Sequence, residues 1–171
     1  MNPNMTPLPP GYTHVQHTFE PVFDEHSRIL ILGSFPSVKS REIQFYYGHP
    51  QNRFWKLMAQ LLDVPVPQSI DEKKTMLLTH GLALWDVIAS CDIKGSSDSS
   101  IKNVEPTELR KILDASNIKQ IYANGSKAGQ LYKKYQLPLT GMEAVVLPST
   151  SPANAAWSLE RLCEAWRKIK C

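Results

Sequence analysis

Cysteine is scarce in this 171-residue chain: Cys91, Cys163 and Cys171 are the only three, and no CxxC pair occurs. That excludes a four-thiolate zinc or iron–sulfur site and leaves reduced thiols without catalytic duty. The five histidines, His14, His17, His26, His49 and His80, form no HExxH or other close ligand pair. A site without metal or cofactor is therefore expected. No run of about 18 apolar residues exists, so a membrane-spanning helix is not expected. Residues 1–11 are Pro-rich and lack both the basic start and the apolar core of a secretory signal, which makes the cytoplasm the expected location. Strong charge of either sign is missing as well. Nineteen basic and 16 acidic residues leave +3, a balance that permits a polyanionic partner without indicating one. Neither GxGxxG nor a P-loop is present, which disfavours nucleotide phosphate binding by those devices.

What is present is a globular composition, 42% hydrophobic, in a length that suits one domain with a sizeable core. Residues 1–26 are rich in Pro and His and lack helical periodicity, so they read as an extended lead packing loosely on a domain spanning 27–171. Ile29 to Leu32 is an apolar run bounded by Gly33 and Pro36, which suits a buried strand of a parallel sheet. Phe54, Trp55, Met58, Leu61 and Leu62 then fall at helical spacing over 52–62, with Pro65 and Pro67 as stops. Further helices are expected over 69–80, 106–115, 126–135 and 152–169, and strands over 82–88, 118–123 and 144–147. The polar stretch 91–104 reads as a long loop. Four alternations of strand and helix argue for a parallel sheet with helices on both faces, its ligand crevice at the C-terminal strand ends. Loops 33–52, 86–105 and 148–154 converge there.

Three segments in those loops carry chemistry. Gly33-Ser34-Phe35-Pro36-Ser37 ends the first strand, where Gly permits close backbone approach and Pro fixes a turn. Tyr46-Tyr47-Gly48-His49-Pro50-Gln51-Asn52-Arg53-Phe54-Trp55 combines rings, a turn, an amide and a guanidinium, the mixture that grips a nucleobase by stacking and by hydrogen bonds to its edge. Phe54 and Trp55 suit the core, while Tyr47 is placed to present its face. Asn52 can accept from a ring N–H and donate to the adjacent carbonyl of uracil or hypoxanthine. A flipped amide suits adenine equally, and the same residue can simply cap its helix. His49 and Arg53 can contact phosphate or hold the loop. Ser149-Thr150-Ser151-Pro152-Ala153-Asn154 follows the last strand, where hydroxyls and helix N-terminal amides would face the crevice or merely cap the helix. Asp86 is a carboxylate at a strand end that can orient a water or bond loop amides.

In order and spacing, the three segments resemble the motifs of the uracil-DNA glycosylase superfamily. His49-Pro50-Gln51-Asn52-Arg53-Phe54-Trp55 matches its mismatch-specific branch. The run Ser149 to Asn154, with the Gly95-Ser96-Ser97-Asp98-Ser99 loop, is most similar to the hypoxanthine-DNA glycosylase branch. The resemblance implies an α/β/α sandwich with a four-stranded parallel sheet. It implies a metal-free enzyme that flips a deaminated base from double-stranded DNA and hydrolyses its N-glycosidic bond, leaving an abasic site. By position Gly33, Ser34, Phe35, Tyr47 and Asn52 correspond to base-binding residues, Asn52 also to the catalytic amide, and Ser149 to Asn154 to the loop that enters DNA. A monomer is expected. Two departures stand out: Phe35 occupies the place of the relatives' water-positioning Asn or Asp, and Ala153 that of their bulky wedge. A uracil-specific enzyme for G·U mismatches and a non-catalytic binding module on the same fold are the alternatives.

Overall fold

The computed structural model describes residues 8–95 and 97–170; residues 1–7 of the lead, Ser96 of the 95–99 loop and Cys171 lie outside it. In chain order the strands are β1 (Thr13–Gln16), β2 (Ile29–Gly33), β3 (Leu82–Asp86), β4 (Ile88–Ile93), β5 (Lys102–Pro106), β6 (Gln120–Asn124) and β7 (Ala144–Leu147). The helices are α1 (Val38–Ile43), α2 (Phe54–Leu62), α3 (Ile70–Thr79), α4 (Arg110–Leu113), α5 (Ser126–Leu131), α6 (Leu137–Thr140) and α7 (Leu159–Trp166).

The strands β3-β2-β6-β7 form a four-stranded sheet, parallel throughout. β2 is buried along its whole length, and its side chains divide by the period of two that a strand imposes. Ile29 and Ile31 join the layer of α2, α3 and α7, which contributes Phe54, Leu57, Met58, Leu77 and Trp166. Leu30 and Leu32 join the opposite layer, with Ile112 of α4, Leu131 of α5 and the buried face of a small second sheet. The result is the α/β/α sandwich. Helix boundaries follow local chemistry. Ser69 caps α3 by accepting from Glu72 N at 3.1 Å while Glu72 Oε2 accepts from Gln68 N, a reciprocal cap, and Gly81 at φ +71° closes the far end. No helix among the described residues is long and apolar enough to cross a membrane.

Four expectations meet a different outcome. The lead does not pack loosely over its described part: β1 pairs antiparallel with β4, and Val22 bridges to Leu84 at the sheet edge. Four residues are too few for an alternation to stand out. The 91–104 stretch is not one loop, since β4 and β5 pair antiparallel within it to give the sheet β1-β4-β5. Register shifts between Ile88 and Ser90 and between Ser90 and Asp92 break the alternation that would have marked those strands. The helix expected over 106–115 shrinks to α4, because Pro106 is spent in β5. The closing helix begins only at Leu159, capped by Ser158 accepting from Arg161 N at 3.1 Å. No helix N-terminal amides therefore stand behind Ser149 to Asn154.

Candidate active site

The ends of β2, β3 and β6 and the chain after β7 open into one cavity of about 290 Å³. That is at the small end of the ~300–1,000 Å³ of ligand pockets, room for a single planar ring system. Gly33, Ser34, Phe35, Tyr47, Asn52, Ser149, Thr150, Ser151, Pro152 and Ala153 all line it. Asn154 does not. It sits behind, its amide donating to Ser149 O at 3.0 Å, and faces the neighbouring cleft with Trp157.

Gly33 forms the floor because nothing larger fits. A Cβ there would lie 2.4 Å from Asp86 Oδ1 and 3.2 Å from the Tyr47 hydroxyl. Asp86 is held from behind by His17, whose Nε2 lies 2.8 Å from Asp86 Oδ2, both side chains buried. The His17 ring meets Phe35 edge to face at 6.3 Å. Phe35 is thus a buried core residue that also lines the cavity. His17 was hidden from sequence reasoning inside the lead, and only the pairing of β1 with β4 could have placed it.

Tyr47 adopts φ 52°, a left-handed backbone that is strained for an aromatic residue. Neighbours hold it there: Gly48 N donates to Ser40 Oγ at 2.9 Å, Trp55 Nε1 to Tyr46 O at 3.1 Å, and the Tyr46 hydroxyl to Glu20 O at 2.8 Å. The Tyr47 ring stacks on Phe54 at 4.2 Å and 30°. Its hydroxyl is buried and makes no hydrogen bond of standard geometry. Burial, and then the Asp86 charge, push the phenol's pKa well above its usual range, Asn124 opposing the shift. Tyr46, Phe54 and Trp55 are buried core residues.

Asn52 is oriented without ambiguity. Thr150 N donates to Asn124 Oδ1 at 3.1 Å, so Asn124 Nδ2 must be the atom 3.0 Å from Thr150 Oγ1. With its oxygen accepting there, the Thr150 hydroxyl donates its proton to Asn52 Oδ1 at 2.9 Å. Phe54 N donates to the same Oδ1 at 2.9 Å. Both lone pairs of that oxygen are consumed, and Nδ2 is left with two donors and no partner among the described residues. The expectation that this amide would both accept and donate is corrected: only the donor remains. Helix capping and a role toward the cavity turn out to be compatible, one atom serving each.

Arg53 holds the loop and is not left for phosphate. Its guanidinium donates to the carbonyls of Trp157, Ser151 and Asn154, and its backbone N to Thr150 O at 3.1 Å. Ser149 and Ser151 hydroxyls accept from Ser151 N and Ala153 N, which completes a self-bonded turn. Ala153 is exposed at the rim. His49 is exposed there too, its Nδ1 accepting from Gln51 N at 3.1 Å. Opposite, Ser34 Oγ donates to Asp98 Oδ1 at 3.3 Å. Burial of the carboxyl raises the Asp98 pKa, against the lowering effects of Ser34 and of Lys127.

Comparison with known proteins bears on the family and the fold. The model of the uracil DNA glycosylase superfamily matches residues 20–170. A hypoxanthine DNA glycosylase of Methanosarcina acetivorans is 37% identical over 159 residues, covering 91% of this chain and 98% of its own. One from Methanosarcina barkeri is 37% identical over 139 residues, covering 80% and 86%. A solution NMR structure of a candidate uracil DNA glycosylase from Methanosarcina acetivorans superposes with a TM-score of 0.72 at 34% identity, covering 90% of this chain and 97% of that one. A parallel sheet whose strand ends carry the three segments around one base-sized cavity, with these relatives, places the chain in a single family: it belongs to the uracil-DNA glycosylase superfamily.

Proposed function

We propose that the chain is a monofunctional DNA glycosylase that removes hypoxanthine, the base of deoxyinosine, from double-stranded DNA and leaves an abasic site, acting as a monomer in the cytoplasm. The observation that carries the substrate reading is the locked Asn52 amide, which presents only N–H donors to the cavity. Deamination replaces an exocyclic amine with a carbonyl. A fixed donor pairs with O6 of hypoxanthine or xanthine, or with O4 of uracil, and opposes the amino group that adenine or cytosine carries at the same place. Sites built to hydrogen-bond one partner reject the wrong one strongly, because the buried group is then left unpaired.

In this reading Tyr47, backed by Phe54, stacks on the extruded base while Asn52 donates to it. As the C1′–N9 bond breaks, charge flows onto the base and the Asn52 donor is better satisfied in the transition state than in the ground state. The rim loop 149–154 contacts the DNA. Ala153 is too small to drive a paired base out, which suits capture of bases that are already weakly paired. Release of free hypoxanthine from inosine duplexes, with uracil and xanthine duplexes alongside, tests the proposal. Hypoxanthine released faster than uracil supports it, and uracil released faster from G·U pairs rejects it in favour of the uracil-specific reading.

A further inference from the structure

Phe35 leaves the first motif without the side chain that would activate water, yet hydrolysis needs an acceptor for the water's proton. The cavity offers three titratable candidates in Asp86, His49 and Asp98. Asp86 is buried, its Oδ2 bonded to His17 and its Oδ1 lying against the Gly33 floor without a hydrogen bond among the described residues. His49 is exposed, as Asp98 is, and its Nδ1 is occupied by Gln51 N. Ser34, the polar side chain beside Phe35, has spent its hydroxyl proton on Asp98. Asp98 likewise keeps an oxygen with no hydrogen bond among the described residues, and of the three it is the one bonded to the residue beside Phe35.

The position of Asp98 is built. Arg41 of α1 donates to Gly95 O at 3.0 Å, Lys94 N to Ser100 Oγ at 2.8 Å, and that hydroxyl to Ser97 O at 2.7 Å. These bonds fix the turn Asp98–Ser100 across the mouth of the cavity, where Asp98 also borders the adjoining cleft. We propose that Asp98, carried in by the segment between β4 and β5, is the general base of the reaction and stands in for the side chain that Phe35 displaces. The C1′–N9 bond breaks with its electron pair leaving on the purine. A water oxygen bonds to C1′, and the water's proton passes to the Asp98 carboxylate. Exchange with solvent returns that carboxylate to its ionised form and protonates the released base. The charged groups facing Asp98 are Lys127 of α5 and Asp86 at the end of β3, with Arg41 of α1 alongside.

This inference rests on the glycosylase reading above, and single-turnover release of free hypoxanthine from an inosine duplex tests the two separately. If the wild type released none, the substrate reading would fall and this inference with it. Given wild-type release, Asp98→Asn, which keeps an oxygen for Ser34, is expected to be ~10²–10⁴-fold slower, the usual contribution of a general base, with duplex binding unchanged. The wild-type rate should fall as pH drops through the Asp98 pKa, and the variant should lose that acid limb. Because the Ser34 bond lowers the Asp98 pKa, Ser34→Ala should move the limb to higher pH. An Asp98→Asn enzyme with the wild-type rate, or a slow one that keeps the acid limb, would overturn the proposal.

Discussion

Thr150 carries the orientation of Asn52, and replacing it with valine isolates that role. Thr150 is fully buried. Its hydroxyl accepts from Asn124 Nδ2 at 3.0 Å and donates to Asn52 Oδ1 at 2.9 Å. Valine keeps the shape and removes both bonds. The half-buried Asn124 amide then loses its acceptor, a cost of about 0.5–1.5 kcal/mol. For a chain of this length each kcal/mol moves the melting temperature by about 2–4 °C, so a drop of ~1–6 °C is expected by calorimetry. Asn52 would keep one anchor, the bond from Phe54 N, so the amide could swing but not fall away. Excision should therefore slow by less than the ~10²–10³-fold expected for deleting the donor with Asn52→Ala. Thr150→Ser restores the hydroxyl and should recover most of the rate. A valine variant with wild-type melting and excision, or a serine variant as slow as the valine one, would refute the reasoning.

Other perturbations read other parts of the site. Arg53→Lys replaces a fork that reaches three carbonyls with a single ammonium. It should weaken binding to inosine duplexes, measured by fluorescence anisotropy, more than it slows bond cleavage at saturating enzyme. Gly33→Ala would push a Cβ to 2.4 Å from a carboxylate that His17 holds in place; a loss of about 1–3 kcal/mol in urea unfolding, with slowed excision, is expected. Burial raises the Asp98 pKa in the folded state, so the folded protein binds that proton more tightly and loses stability as pH rises through the raised value. Asp98→Asn should therefore melt no lower than wild type at about pH 8, with any gain fading toward about pH 4, as scanning calorimetry would show.

Much of the sandwich is legible in the sequence because its signals are local. β2 is one apolar run between turn residues, α2 has buried residues at helical spacing and a Pro stop, and β7 spans the residues expected of it. The small sheet is not legible, because β1 is four residues long and β4 is interrupted by register shifts. The missed strands matter for the site: they deliver His17 behind Asp86 and set Asp98 over Ser34. The three segments could be read as converging because strand ends in a parallel sheet share one edge. The direction of the Asn52 amide could not be read. It depends on Asn124 and Thr150, which are distant in sequence and meet only through the pairing of β6 with β7.

The central claim is that Asn52 acts on the base through a fixed donor, and Asn52→Asp tests it most directly. The carboxylate keeps an oxygen for Phe54 N and the Thr150 hydroxyl, so the fold is preserved. It places an acceptor where the N–H pair had been. Single-turnover release of hypoxanthine from an inosine duplex should fall by at least ~10²-fold with the melting temperature nearly unchanged. An Asn52→Asp enzyme that released hypoxanthine at close to the wild-type rate would contradict the account.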